Sequence, residues 1–422
     1  MRKALSALIF LASAMLAFGA DAFYLKPADT VVFYGDSITD QRLYTVLTET
    51  FVLTRYPKLN ATFVHSGWGG DKVSGGGGGP IDLRLQRDVL AYHPTVMTIM
   101  LGMNDGHYQP ETPENDQIFF DGYQHIVDTM LKDDAGVRIT LIQPSPYDDV
   151  TRPPTFPGGY NAVLLNFSKW IANYGQQKHL AVADFNGPMV AMLQKANATD
   201  PADAQKILPD RVHPSVSGHL IMAEQLLKAW NARPLVSSVF IDASGSVPKL
   251  QFSDFAQISD LKGGNGVQWT EQDNSLPLPF AEWTSGGNGT LMNLVIHSSD
   301  VTEALNQEPL RVTGLKPGSY TLLIDGTNIG NFSSADLASG VNLALLNTPM
   351  SQQANEVYQL TIDHATIHND RWRNIQVPLA KYSLPQAKAA MDSLDQLEAA
   401  LVAKQRETAQ PRAHTFQLVP TT

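Results

Sequence analysis

The chain contains no cysteine. Disulfides, thiolate metal sites and a cysteine nucleophile are therefore excluded, while a serine nucleophile remains open. Basic charge is also scarce, and the formal net charge is −11. Nucleic acid and anionic lipid surfaces both call for basic patches, so neutral substrates fit better. Past the first 22 residues no run is long and apolar enough to span a bilayer, and no internal repeat is evident. Between Ser74 and Pro80 lie five consecutive glycines, but the Gly-Lys-Ser/Thr ending of a phosphate loop is missing. The glycine run reads as a flexible surface or cleft-edge loop.

What is present begins with a leader. Arg2 and Lys3 precede an apolar stretch from Ala4 to Phe18, and Ala20-Asp21-Ala22 has the small-x-small form of a cleavage site. The expectation is an export signal over 1–22, cleaved after Ala22, and a secreted or periplasmic protein. A retained anchor is the alternative, although its apolar core is short for a span. At 422 residues, 43% of them hydrophobic, the chain exceeds one ordinary domain. Two are expected, over 23–235 and 236–422.

Thr30-Val31-Val32-Phe33-Tyr34 is a continuous β-branched and aromatic run, suited to a strand covered on both faces. It stops at Gly35, which places Ser37 where strand gives way to helix. Asp40 is a candidate cap for the amphipathic stretch carrying Leu43, Val46, Leu47 and Thr50. A serine hydroxyl is a poor nucleophile unless a base takes its proton, and the base needs a partner that fixes its tautomer. Asp210 and His213, in a loop framed by Pro209 and Pro214, supply such a pair. Their bland alternative is a helix-start cap beside a surface histidine. Ala61 to Val64 reads as a second strand leading into His65-Ser66-Gly67-Trp68-Gly69-Gly70-Asp71, where Gly70 is a candidate oxyanion donor. Val96 to Leu101 is a third strand and ends in Gly102-Met103-Asn104-Asp105-Gly106. The Asn104 carboxamide can join the amides of Ser37 and Gly70 in one oxyanion hole, or it can merely stabilise a tight turn.

These four stations resemble the four blocks of the SGNH hydrolases, also called the GDSL esterase/lipase family. Gly35-Asp36-Ser37-Ile38 matches the first block, Gly70 the second, Gly102-Met103-Asn104-Asp105 the third and Asp210-Arg211-Val212-His213 the fourth. The resemblance covers roughly residues 28 to 232. It implies an α/β fold with a flavodoxin-like, doubly wound parallel sheet, and hydrolysis of a carboxylic ester without metal or other cofactor. One departure stands out: the second block commonly begins with Asn five places before its glycine, and this chain has His65 there. The first block also has Ile where the family name has Leu.

Alternating strands and helices continue through the first domain, with helices expected over 80–92, 116–132 and 216–230 and strands over 138–142 and 180–184. From about Val236 the pattern changes to a C-terminal mixed β/α accessory region. Strands are expected at 239–241, 291–296, 310–313 and 320–324, then helices over 351–372 and 385–406. His364 and His368 have the spacing of paired metal ligands, but without the Glu of a metalloprotease helix they read as a solvated face. His107, next to Gly106, reads either as a cleft-lining residue or as a plain loop histidine, and His219 as packing. Trp68 suits either an aromatic surface for a sugar ring or acyl chain, or the core.

By the resemblance, the substrate expected is an ester, and an exported acidic protein with an accessory region favours O-acetylated carbohydrate. The competing readings are a lipase or lysophospholipase and a non-catalytic carbohydrate-binding envelope protein.

Overall fold

The computed structural model describes residues 22–133, 136–287 and 289–421. The expected leader lies outside the described residues, apart from Ala22.

The first domain is built on five parallel strands: β1 (Thr30–Gly35), β2 (Thr62–Gly67), β3 (Val96–Met100), β4 (Arg138–Gln143) and β5 (Ala181–Asp184). Their order is β2-β1-β3-β4-β5, the flavodoxin-like arrangement. Val31, Val32, Phe33 and Tyr34 are fully buried, as a run covered on both faces requires. Around the sheet pack α1 (Ser37–Asp40), α2 (Leu43–Arg55), α3 (Ile81–Asp88), α4 (Pro113–Asp133), α5 (Tyr160–Lys178) and α6 (Val216–Ala229). The strand order reverses between β1 and β3, and a crevice opens at their carboxyl ends. Ser37 follows β1 and Asn104 follows β3.

The helix start after β1 differs from the expected one. Asp36, not Asp40, caps a helix: its carboxylate accepts the Ile38 amide at 3.0 Å and starts α1. Asp40 ends α1, and α2 begins after Arg42 in a left-handed turn at φ +58° with no side-chain cap. The short α1 frees Asp40 for work in the site.

The second region holds two sheets. One runs β8-β9-β14-β11-β12 and is antiparallel, from β8 (Ala256–Gly264), β9 (Gly266–Asp273), β11 (Ser319–Ile324), β12 (Thr327–Ser333) and β14 (Ala413–Pro420). The other runs β13-β10-β6-β7, from β6 (Ser238–Asp242), β7 (Lys249–Asp254), β10 (Pro309–Thr313) and β13 (Val341–Asn342). Residues 291–296, expected as a strand, lie in a helix, α7 (Gly289–Ser298). Met292, Val295 and Ile296 are its buried apolar side chains, spaced for one helical face, and they join the core of the first domain. A short apolar run cannot separate that face from a buried strand.

Two long helices, α8 (Pro349–Asn369) and α9 (Pro385–Thr408), then return to the first domain. The α8 axis continues through a π-helical segment, Asp370–Gln376, a distortion frequent at functional sites. His364 and His368, expected on a solvated face, are both buried. The reason is tertiary: α8 is covered by α2 on one side and α9 on the other, through His364 to Glu49 and to Glu398.

Candidate active site

Ser37 sits at the first turn of α1, at the carboxyl end of β1. Its hydroxyl donates to His213 Nε2 at 2.8 Å, and His213 Nδ1–H donates to Asp210 Oδ2 at 2.7 Å. The second Asp210 oxygen accepts the backbone N–H of Val212 at 3.0 Å and of His213 at 2.7 Å. Desolvation opposes ionisation of Asp210, but the hydrogen bonds from His213 and Val212 outweigh it and hold the carboxyl below its ordinary range. The loop is turned by Arg211 in the left-handed region, φ +73°, while its guanidinium donates to the carbonyls of Asp148 and Pro153 at 3.1 and 2.9 Å. Strain of about 1 kcal/mol at such a residue is offset by those anchors.

The second strand delivers the glycine loop. A Cβ on Gly67 would lie 2.2 Å from the Asp40 amide nitrogen, so only glycine lets the end of β2 pass α1 this closely. Gly70 adopts φ +78°, is exposed, and a Cβ there would meet nothing within 4 Å. Among the described residues no acceptor takes its amide hydrogen. Asn104 Nδ2 donates to the Asp71 carbonyl at 3.0 Å, and its Oδ1 accepts the Tyr108 hydroxyl at 3.0 Å. These two contacts fix which way the carboxamide points and leave its second N–H for a ligand.

Behind the loop stands a layer of paired charge. Arg84 of α3 is fully buried; it donates to Asp71 at 2.7 Å, pairs with Asp88 and donates to the Ser66 carbonyl at 2.9 Å. Asp36 and Asp105 are buried in the same layer, and desolvation pushes their carboxyls up to about 8 and about 7.

The sequence pattern missed the contribution of the second region. Arg373, in the π-helical segment, reaches Asp40 Oδ1 at 3.3 Å and the Gly67 carbonyl at 3.3 Å. Asp40 Oδ2 in turn accepts the Gly69 amide at 3.1 Å. Trp372 donates to Asp88 at 2.6 Å, and its ring meets Trp68 edge-on at 5.5 Å between centroids. Ser37 and His213 therefore open into a cleft of about 920 Å³ with walls from both regions, including Asp40, Arg42, Asn369, Arg373 and Asn374. No local signal at 369–374 announces this, because the contact partners lie more than 300 positions away.

The other candidates stand apart. His65 turns from the crevice, with Nε2 3.0 Å from Glu49 and Nδ1 2.8 Å from Thr45. His219 is buried and bonded to the Tyr44 amide at 3.2 Å and Gln41 at 3.0 Å. The glycine run forms a two-residue hairpin between Gly75–Gly76 and Gly79–Pro80.

A parallel sheet in this order carries a hydrogen-bonded Ser–His–Asp set at its carboxyl edge, the arrangement that a serine nucleophile requires. Residues 33–221 match the model of the GDSL-like Lipase/Acylhydrolase family. The chain is a carboxylic ester hydrolase. An acetylxylan esterase of Geobacillus stearothermophilus is 22% identical over 223 residues, 47% of this chain and 93% of that protein. The solved structure of the gut microbial diltiazem-metabolizing enzyme BT4096 superposes with a TM-score of 0.80 at 26% identity. That likeness covers 94% of this chain and 98% of the other, so it takes in the C-terminal region as well as the hydrolase domain.

Proposed function

We propose that Ser37 is the nucleophile, His213 the general base and Asp210 the residue that holds the imidazole, in an exported esterase acting on O-acetylated carbohydrate. The observation carrying this reading is the unbroken relay from Ser37 Oγ through His213 to Asp210, at 2.8 and 2.7 Å. As the Ser37 oxygen attacks the ester carbonyl, its proton passes to His213 Nε2, and the imidazolium is stabilised by the Asp210 carboxylate. The tetrahedral oxyanion is received by the amides of Ser37 and Gly70 and the carboxamide of Asn104. His213 then protonates the leaving alcohol, and water attacks the acyl-enzyme by the same route in reverse.

The substrate class rests on the cleft. Its walls carry Asp40, Gln41, Arg42, Asn369, Arg373 and Asn374 beside Ser37, a lining that offers hydrogen bonds to hydroxyl-rich ligands. A long-chain lipid ester needs a continuous apolar trench, whereas the apolar side chains of this lining are Leu43, Pro209, Pro214 and Val216, set among the polar ones. The acetylxylan esterase relative supports the same choice. The leader over 1–22 supports export, since polymeric carbohydrate lies outside the cell. Among the described residues no helix is long and apolar enough to cross a membrane.

The test is a hydrolysis panel of acetyl, medium-chain and long-chain esters, with acetylated xylan and pectin, on the wild type and Ser37→Ala. Activity is expected to peak at acetyl, with acetate released from polysaccharide and lost in Ser37→Ala. A flat chain-length profile without acetate release would remove the carbohydrate reading and leave the esterase. Undiminished hydrolysis by Ser37→Ala would remove the nucleophile.

A further inference from the structure

Away from the crevice, on the far side of β2, three side chains from separate elements converge. Glu49 comes from α2, His65 from β2 and His364 from α8. All are buried, and one donor atom from each falls within 4.8 Å of the others. Glu49 Oε2 is 3.0 Å from His65 Nε2, and Glu49 Oε1 is 3.1 Å from His364 Nδ1. The two imidazole centroids are 6.1 Å apart with their planes at 66°.

Each ligand atom is backed by a partner on its far side. His65 Nδ1 lies 2.8 Å from the Thr45 hydroxyl, and His364 Nε2 lies 3.1 Å from the Glu398 carboxylate of α9. Gln405 Nε2 donates to Glu49 at 3.1 Å. A metal-bound histidine almost always gives its other ring N–H to an oxygen in this way, which fixes the tautomer that presents the bare nitrogen to the ion. Two imidazoles and a carboxylate form the donor set of zinc, with Zn–N of about 2.0–2.1 Å. The Gln405 carboxamide, once turned over, offers its oxygen as a fourth donor.

We propose that Glu49, His65 and His364 bind one divalent zinc-class ion that joins the hydrolase domain to the C-terminal helices. The three side chains are buried, and the cavity of about 490 Å³ that His364 and Glu398 help to line shares no residue with the cleft at Ser37, so the ion joins the elements and takes no part in ester hydrolysis. It locks α8 against β2 and α2. The π-helical continuation of α8 carries Arg373, so the ion also fixes how the second region meets the crevice. The inference is independent of the esterase reading.

The test uses the full chain, purified as expressed and again after refolding with Zn²⁺ or Co²⁺, beside His65→Asn and His364→Gln. Mass spectrometry of metal content is expected to show about one zinc per chain in the wild type and in Ser37→Ala, and almost none in the two histidine variants. Co²⁺ is expected to give visible absorption bands in the wild type alone. Chelation after partial unfolding is expected to lower the wild-type Tm by on the order of 5 °C or more, leaving the variants unmoved. A wild type that is metal-free on isolation and takes up neither ion on refolding would overturn the proposal. The cluster would then be held by protons, with His364 an imidazolium between Glu49 and Glu398.

Discussion

The guanidinium of Arg373 lies 3.5 Å from the ring centroid of Trp68, flat against the loop that presents Gly70. One face of that cation is occupied by the indole and its edge by Asp40 and the Gly67 carbonyl, so a side chain of the second region braces the loop of the first that carries Gly70.

Arg373→Ala is expected to lower kcat by roughly ten- to a hundred-fold with a smaller change in KM, the rate equivalent of one lost charge-assisted hydrogen bond. Arg373→Lys keeps the charge but not the planar stack, and should recover only part of the loss. Steady-state kinetics on an aryl acetate separates the outcomes. A raised KM at unchanged kcat would mean that Arg373 holds substrate instead of the loop.

Asn104→Ala removes a donor already oriented by Asp71 and Tyr108. The expected loss is about a hundred- to a thousand-fold in kcat, with little change in KM. Urea unfolding should show the variant about as stable as the wild type, which would locate the effect in the transition state.

Asp36 is buried next to Ser37, and desolvation raises its carboxyl to about 8. Since the folded value exceeds the unfolded one, the native state keeps a proton that the unfolded chain has released between about pH 4 and 8. Stability is therefore fully present below the unfolded value and falls as pH rises toward 8, on the order of 1 kcal/mol per unit at most. Asp36→Asn retains the helix cap and should flatten that slope in denaturant titrations from pH 4 to 9. An unchanged slope would show that another group, Asp105 first, carries it.

Arg84 is the most heavily committed buried cation behind the loop, paired with Asp71 and Asp88 at once. Arg84→Met leaves both carboxylates without that partner and is expected to cost about 3–5 kcal/mol, read from urea midpoints. The cost should shrink in acid, where the Asp71 carboxyl, already raised by burial, takes up a proton.

Much of the hydrolase domain is legible residue by residue. Thr30 to Tyr34 and Val96 to Met100 carry apolar side chains on both faces, a pattern that in a short segment bounded by glycine leaves little besides a covered strand. The residues that form the relay are also written locally, because a nucleophile needs its strand–helix corner and Asp210 needs its histidine three positions on. Tertiary contacts are not written that way. Arg373 and His364 gain their roles from partners across the chain, and nothing at 364 or 373 distinguishes them from a solvated helix face. β9 and β14 escaped for another reason. Their buried positions, Val267, Trp269 and Glu271, then His414, Phe416 and Leu418, alternate correctly, but polar members interrupt each series.

The placement of β14 has a consequence for biosynthesis. Among the described residues it is the last strand along the chain, yet it lies in the middle of its sheet, between β9 and β11. A nascent chain can assemble the five-stranded hydrolase core well before residue 413 is added, while the two halves of the later sheet wait with facing edges open. A message cut short before that strand would yield a product with two exposed ladders seeking a partner, a natural substrate for chaperones and proteases.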